Sequence, residues 1–208
     1  MTAGPALARL AAEACACRIC RDSPWGKPMP QEPNPVLVPS STARILIAGQ
    51  APGTKVHLSG KPFTDASGDR LRQWMGVTSE EFYDPAKLAI LPMGFCFPGQ
   101  DAKGSDLPPR KECAPTWRQP LIALMPQVDL VLAIGLYAQA WHIGNKGVSL
   151  TDTVRDWRRI FGASTAPKVM PLPHPSWRNT GWLKRNPWFE TDLLPFLQAQ
   201  IRHRLDAA

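Results

Sequence analysis

The sequence predicts an α/β protein, a three-layer α/β/α sandwich around a short, mostly parallel sheet of four strands. Four short apolar runs recur along the chain, and segments with a helical pattern separate them. Short, wholly apolar strands that alternate with helices are typical of parallel sheets covered on both faces. The chain has 208 residues, of which 44% are hydrophobic, and this suits a single domain over residues 1–208 with a substantial core.

The predicted strands are Arg44–Ala48, Leu88–Leu91, Leu130–Ile134 and Lys168–Leu172. Each run is shorter than an ordinary helix and ends near a Gly or Pro turn signal. The predicted helices are Ser67–Met75, Ala114–Met125, Leu136–His142 and Pro187–Arg204. Because ligands bind at the carboxyl ends of parallel strands, we expect a functional site among the residues that follow the strands.

The N-terminal part of the chain is predicted to be a helix with a C-x2-C pair, over residues 1–22. Residues 23–40 carry six prolines and read as an irregular connector. We expect this connector to be ordered rather than a flexible linker, because Trp25, Val36 and Leu37 offer apolar anchors.

The charge balance is basic, with 24 Lys and Arg against 17 Asp and Glu and a net charge of +7. This balance suits a phosphate-bearing partner such as nucleic acid, and equally an ordinary enzyme with spare lysines. No apolar run approaches the roughly 18 residues that span a bilayer. The first residues lack the basic start of a signal peptide. We therefore expect a cytoplasmic monomer with no membrane partner.

Five cysteines are an odd number, and in a reducing compartment we do not expect disulfides. Cys17 and Cys20 form the C-x2-C pair, and Cys96 and Cys113 follow the second strand. Four thiolates that converge suit either zinc or an iron–sulfur cluster, whereas buried structural thiols are the alternative. Cys15 stands outside this pattern.

The loop after the first strand is Gly49-Gln50-Ala51-Pro52-Gly53. Its glycines and proline predict a tight turn whose backbone a ligand can approach closely, although an ordinary turn has the same composition. Further on, the segment SGKPFTDASGD places Phe63 two residues before Asp65. Asp65 or Ser67 is expected to cap the next helix, and a catalytic role for Asp65 is the alternative.

The last strand leads into His174-Pro175-Ser176-Trp177-Arg178-Asn179. Proline holds the preceding histidine in an extended backbone. A histidine that follows a buried strand and precedes aromatic and basic residues indicates a functional loop rather than plain surface.

Taken in order, these motifs resemble those of the uracil-DNA glycosylase superfamily, especially its iron–sulfur-containing branches, families four and five. The resemblance runs from Cys17 to Phe189 and rests on the C-x2-C pair, GQAPG, SGKPFTDASGDRL, Cys96 with Cys113, and HPSWRN. It implies a single α/β/α sandwich that hydrolyses the N-glycosidic bond of uracil in DNA and leaves an abasic site for base excision repair.

The resemblance also implies roles for single residues. His174 would donate a hydrogen bond to the base oxygen, and Phe63 would stack on the base. Gln50 would place the first loop, with Gly49 and Ala51, against the base or the water. Asp65 would favour the sugar cation and orient or deprotonate water, with Asp69 as the fallback.

For the DNA strand, the resemblance points to the residues after the histidine. They are Ser176, Trp177, Arg178 and Asn179, followed by Lys184 and Arg185. Cys17, Cys20, Cys96 and Cys113 would hold a structural 4Fe–4S cluster, with zinc or no metal as the alternatives.

The sequence departs from the families it resembles at three places. Gln50 and Ala51 leave the first loop without a carboxylate. Pro92 stands where family four has an Asn that pairs with uracil, which implies a wider range of deaminated bases. Residues 97–112 lack the histidine with which one relative traps DNA covalently, and His57 lies in the earlier loop instead.

Two rival functions fit parts of the same sequence. A protein of this fold that binds damaged or single-stranded DNA without cleavage would explain the missing carboxylate in the first loop. Asp65 and His174 argue against it. A metal-centred protein unrelated to DNA, such as an electron carrier, would explain the cysteines, and it would show no affinity for DNA at low salt.

Overall fold

The centre of the fold is a four-stranded, wholly parallel sheet. A computed structural model describes residues 3–163 and 165–206. The strands are β1 Ile45–Ala48, β2 Leu88–Ile90, β3 Leu130–Ile134 and β4 Lys168–Leu172. Their order in the sheet is β2-β1-β3-β4. Each pair is parallel, so the predicted fold class is confirmed.

Alternate residues of the strands enter two separate apolar cores. Ile45 and Ile47 of β1 face one core, which we call the first core. Leu46 and Ala48 face the other, the second core. The other strands divide in the same way, because side chains in a strand alternate between the faces of a sheet. Burial on both faces explains why each strand reads as an unbroken apolar run.

Helices cover both faces of the sheet. Among the described residues the α-helices are α1 Ala3–Cys15, α2 Ile19–Asp22, α3 Thr54–Ser59, α4 Ala66–Met75, α5 Ser79–Tyr83, α6 Gln119–Ala123, α7 Gly135–Ile143, α8 Leu150–Arg155, α9 Trp157–Ala163, α10 Thr180–Arg185 and α11 Leu194–Leu205. Helices α4 and α11 pack on the first core, whereas α1, α6 and α7 pack on the second. No described helix has both the length and the apolar character to cross a membrane.

Two of the predicted helices are interrupted at their start. Residues Ala114–Arg118 and Phe189–Leu193 form wider π-helical turns before α6 and α11. In each case a proline, Pro120 or Pro195, stands just after the turn. Proline has no N–H and its ring clashes with the carbonyl four residues back, so the hydrogen bonds shift to a five-residue spacing there.

The proline-rich connector lies against the edge of the sheet. The N–H of Val36 donates to the carbonyl of Phe95 over 2.7 Å, and Val38 bridges to Ile90 of β2. Val36 is buried, and Leu37 packs on the second core. Trp25 is not an anchor of the kind we expected, because its side chain is 68% exposed.

Candidate active site

A cleft of about 580 Å³ lies where the strands end at their carboxyl side. Gly49–Gly53 follows β1, Pro92 follows β2, and His174 follows β4, and all three segments line the cleft. The parallel sheet brings these loops together, because the carboxyl ends of parallel strands lie along one edge.

The first loop is fixed to the loop after β2. The carbonyl of Gly49 accepts the N–H of Met93 over 2.9 Å, and that of Gln50 accepts the N–H of Gly94 over 3.0 Å. The side-chain amide of Gln50 reaches the carbonyl of Leu107 at 3.5 Å. Ala51 lines the cleft beside Gln50. This wall of the cleft therefore presents an amide and backbone groups, with no charge.

Phe63 has a left-handed backbone with a φ of 55°, which is unusual for a bulky residue. Its carbonyl accepts the hydroxyl of Tyr83 over 2.9 Å and a guanidinium N–H of Arg72 over 3.2 Å. Its ring lines the cleft and packs edge-on against Phe82, with centroids 5.8 Å apart. A strained backbone held by several hydrogen bonds is typical of a functional site.

Asp65 both caps a helix and faces the cleft. Its side chain accepts the N–H of Gly68 over 3.2 Å at the start of α4, so Asp65 rather than Ser67 is the cap. The half-buried side chain also lines the cleft. Asp69 does not line it, because its exposed carboxylate pairs with Arg72 at 2.6 Å. The structure therefore disfavours Asp69 as the fallback.

His174 lies in the cleft with its imidazole partly buried. Its Nδ1 accepts the N–H of Ser176 over 3.2 Å, which leaves the proton of a neutral ring on Nε2. Burial lowers the pKa of His174, and the carboxylates of Asp65 and Asp106 oppose that shift. The ring is therefore neutral near pH 7 and carries one N–H that can donate to a ligand.

The segment after His174 forms one side of the cleft. Ser176, Trp177, Arg178 and Asn179 all line it. The amide of Asn179 donates to the carbonyl of His174 over 2.7 Å, so it holds the histidine loop. Arg70 donates to the carbonyl of Ser176 over 3.0 Å and ties the segment to α4. Trp177 is 74% exposed, which leaves its ring free for a partner.

The two basic residues further along lie elsewhere. Lys184 and Arg185 lie on α10 and do not line the cleft. His57 also lies outside it, on α3, with its ring against Phe97 at 5.8 Å. Of the predicted basic contacts, Arg178 therefore lines the cleft, whereas Lys184 and Arg185 do not.

Four of the five cysteines line a second, small cavity. Cys17, Cys20, Cys96 and Cys113 all border it, whereas Cys15 is exposed elsewhere. Burial raises the pKa of Cys96 to about 12 and also raises that of Cys113. In residues 3–163 and 165–206, no three His, Cys, Asp or Glu side chains have the geometry to hold one metal ion.

A buried arginine next to this cavity bears on whether the cysteines fit a metal group. Arg118 is fully buried; its Nε donates to the carbonyl of Leu91 over 3.1 Å, and its Nη2 lies 2.6 Å from Nε2 of His142. Among the described residues, no carboxylate is found to pair with it. Its Nη1 has no hydrogen-bond partner, and burial lowers its pKa to about 9, against the influence of Cys113. A thiolate at Cys113 would supply the missing negative charge. Four cysteines on one cavity beside this arginine are a donor set that fits a group held by thiolates.

Sequence reasoning missed two charged residues of the cleft, Lys55 and Asp106. Asp106 comes from the loop between Cys96 and Cys113, which folds back over the first loop. A Cβ at Gly53 would stand 3.6 Å from Asp106 Oδ2. The only sequence signal was an acidic residue in a loop after a predicted strand, which is too common to single it out.

Comparison with known protein families agrees with this geometry. The model of the Uracil DNA glycosylase superfamily matches residues 35–198, which includes the sheet, the first loop, Phe63, Asp65 and His174. This match covers most of the chain and all of the lining of the cleft. The protein is a member of the uracil-DNA glycosylase superfamily.

Proposed function

We propose that this protein is a DNA glycosylase that hydrolyses the N-glycosidic bond of uracil and other deaminated bases in DNA, and so begins base excision repair. Membership of the superfamily supports glycosylase chemistry. The observation that carries the proposal further is one cleft that contains a partly buried, neutral histidine, an aromatic ring and an acidic residue. Together these groups can stack a flipped base, donate a hydrogen bond to it and balance the charges that develop as the glycosidic bond breaks.

His174 supplies stabilisation of the leaving base. When the bond between C1′ and the base nitrogen breaks, both electrons remain on the base and negative charge spreads to its oxygens. The Nε2–H of the neutral ring donates to one of these oxygens as the charge develops. An oriented donor in a site that excludes water contributes about 3–4 kcal/mol to such a transition state.

Phe63 and the first loop form the pocket for the base. Gly49 lies in contact range of the Phe63 ring, since a Cβ there would stand 3.8 Å from Phe63 Cζ. In this proposal the base stacks on Phe63, while Gln50 and the backbone around Ala51 contact its polar edge. Pro92 lines the same pocket and has no N–H or side-chain donor. The pocket therefore does not read one base as strictly as a paired asparagine would.

Asp65 balances the positive charge that develops on the sugar. Its place at the start of α4 fixes the carboxylate, because the backbone N–H of Gly68 holds one oxygen. A fixed negative charge costs no reorganisation when the sugar cation forms. Asp65 thus combines a structural cap with an electrostatic role.

The DNA strand would lie along the segment after His174. Arg178 and Trp177 border the cleft, and an exposed aromatic ring there can fill the gap that a flipped base leaves. Lys184 and Arg185 contact phosphates further along in this proposal, and the net charge of +7 favours such contacts. We expect the protein to act as a cytoplasmic monomer.

We further propose that Cys17, Cys20, Cys96 and Cys113 hold a 4Fe–4S cluster. A bound cluster would supply structural cross-linking between the N-terminal helices and the segment from residue 96 to 113, and hydrolysis needs no redox chemistry from it. The convergence of the four side chains on one cavity and the unpaired charge of Arg118 support this assignment.

One observation favours a second candidate function, a protein that binds damaged DNA without cleaving it. The first loop carries an amide and a methyl group, Gln50 and Ala51, in place of an acid. The two functions differ in their product, because only hydrolysis leaves an abasic site that alkali converts to a strand break.

The test is incubation with oligonucleotides that carry a single uracil, hypoxanthine or xanthine, in single-stranded and duplex form. The glycosylase proposal predicts alkali-labile breaks at the modified position and none in an unmodified oligonucleotide. Binding to these oligonucleotides without such breaks would favour the second candidate. Absence of both binding and breaks would contradict both.

A further inference from the structure

Asp106 stands in the active-site cleft on a small hydrogen-bonded turn. The N–H of Leu107 donates to the carbonyl of Gly99 over 2.9 Å, which closes the turn at its base. At its tip the side chain of Asp101 accepts the N–H groups of Lys103 and Ser105 over 2.8 and 2.9 Å. The turn therefore holds Asp106 in a defined place over the cleft.

The two oxygens of the Asp106 carboxylate differ in their surroundings. Oδ1 accepts the side-chain N–H of Gln100 over 3.1 Å, which orients the group. Oδ2 faces the end of the first loop, because a Cβ at Gly53 would stand 3.6 Å away. No hydrogen bond to Oδ2 is found from any described residue. One oxygen is thus held, and the other is available to a ligand in the cleft.

Asp106 and Asp65 both act electrostatically on His174, so both carboxylates lie near the proposed reaction centre. Their situations differ, because Asp65 Oδ1 is engaged by the start of α4, whereas Asp106 lies on a loop beside the first loop. The first loop itself has no acid. Asp106, an acid from another segment of the chain, therefore lies next to the first loop.

We propose that Asp106 is the general base that activates the attacking water; this rests on the proposed glycosylase function. The bond between C1′ and the base nitrogen breaks, and its electron pair leaves with the base. The water oxygen forms the new bond to C1′, and its proton passes to Asp106 Oδ2. The protonated carboxyl then returns that proton to the released base anion or to solvent. Asp65 remains charged throughout and balances the sugar cation.

Asp106→Asn tests this assignment, with Asp101→Asn as the matched control. Both changes remove one negative charge from the same turn. The asparagine of the control variant would still accept the two backbone N–H groups, and Asp101 does not line the cleft. The measurement is single-turnover excision of uracil at pH 7, with the melting temperature and DNA affinity of each variant.

We expect Asp106→Asn to excise uracil about 100-fold more slowly or worse, which is the usual contribution of a general base. The other charged or titratable groups that line the cleft are Lys55, Asp65, His174 and Arg178, and they are unchanged. The control should match the wild type in rate.

A second variant covers the case in which Asp106→Asn melts early. Asp106→Ala should regain activity when formate is added, because the small acid can occupy the vacated space. If Asp106→Asn excises uracil at the rate of the wild type, or if formate does not restore activity to Asp106→Ala, the role of Asp106 is overturned. A wild-type protein that releases no base from any of the three modified oligonucleotides would instead overturn the proposed function.

Discussion

Gly68 and Phe63 are packed so closely that only glycine fits at position 68. A Cβ on residue 68 would stand 1.9 Å from the carbonyl oxygen of Phe63. That carbonyl points toward α4 because the backbone of Phe63 is left-handed, and Tyr83 and Arg72 hold it there. The glycine in the first turn of α4 thus determines where the aromatic ring of the proposed base pocket lies.

Gly68→Ala should displace Phe63, because the backbone carbonyl of Phe63 cannot move aside as the end of a flexible side chain can. We expect a loss of about 1–3 kcal/mol in the free energy of unfolding, as for other overpacked sites. Excision should fall with it. Gly162→Ala in α9 is the control, because a Cβ there meets no atom within 4 Å. Equal activity and stability of the two variants would show that Phe63 is not held by this contact.

His174→Ala should lower excision by about 100-fold or more, by analogy with the loss of an oxyanion donor. DNA affinity should persist, because the strand contacts lie on other residues. Single-turnover kinetics and binding to an oligonucleotide measure the two quantities. His203→Ala, a change at an exposed histidine of α11, should leave both unaltered. Near-wild-type turnover of His174→Ala would remove His174 from the mechanism.

Asp65→Asn should separate the two roles of Asp65. Asn caps helices about as well as Asp, so the melting curve should stay near that of the wild type. The negative charge is lost, and we expect most of the rate to be lost with it. Asp65→Ser provides a second variant that keeps a cap without charge. Unchanged excision in both would leave Asp65 as a cap alone and move its electrostatic role to Asp106.

Cys17→Ser and Cys113→Ser should lower soluble yield and melting temperature more than they lower turnover per folded molecule. Ligands that come from distant segments make metal binding part of the folding free energy. Iron and zinc content per chain, measured beside the melting curves, tests this. Cys15→Ser is the control, because Cys15 is exposed and outside the cavity. The cluster would be refuted if the wild-type protein contained neither iron nor zinc and the two variants had the melting temperature of the wild type.

Glu81→Gln should weaken the contact between α5 and α11 in a pH-dependent way. The hydrogen bond from Arg202 lowers the pKa of Glu81 from 4.5 to about 2. Stabilisation is therefore full above about pH 4.5 and is lost as the pH falls toward 2. Because Arg202 is 44% exposed, we expect the ion pair to contribute only about 1 kcal/mol to the free energy of unfolding at pH 7. The free energy of unfolding, measured with denaturant, should change less between pH 7 and pH 3 in the variant than in the wild type.

The four strands could be predicted within a residue or so because each is an apolar run buried on both faces. The short helices were not predicted, because they lack a clear apolar pattern of their own. Helices such as α3 and α5 span only six and five residues, and caps and tertiary contacts stabilise them rather than a repeating apolar face. The π-helical turns depend on where single prolines fall, and these were overlooked in segments with a helical pattern.

The site was predictable where short motifs carry the chemistry, and unpredictable where distant loops meet. Phe63 and Asp65 were predicted from the segment before α4, and His174 from the loop after β4; the structure brings all three to one cleft. Asp106 reaches the cleft through the fold-back of a long loop, which no local pattern encodes. The left-handed Phe63 depends on Gly68, Tyr83 and Arg72 together, and such a set becomes visible only in three dimensions.

The most direct test of the account is the release of free uracil from a uracil-containing oligonucleotide, quantified by mass spectrometry beside the abasic product. The account predicts one free uracil for each abasic site with the wild-type protein, and at least about 100-fold slower release with His174→Ala. An oligonucleotide that is bound but keeps its uracil would contradict hydrolysis as the function of this cleft.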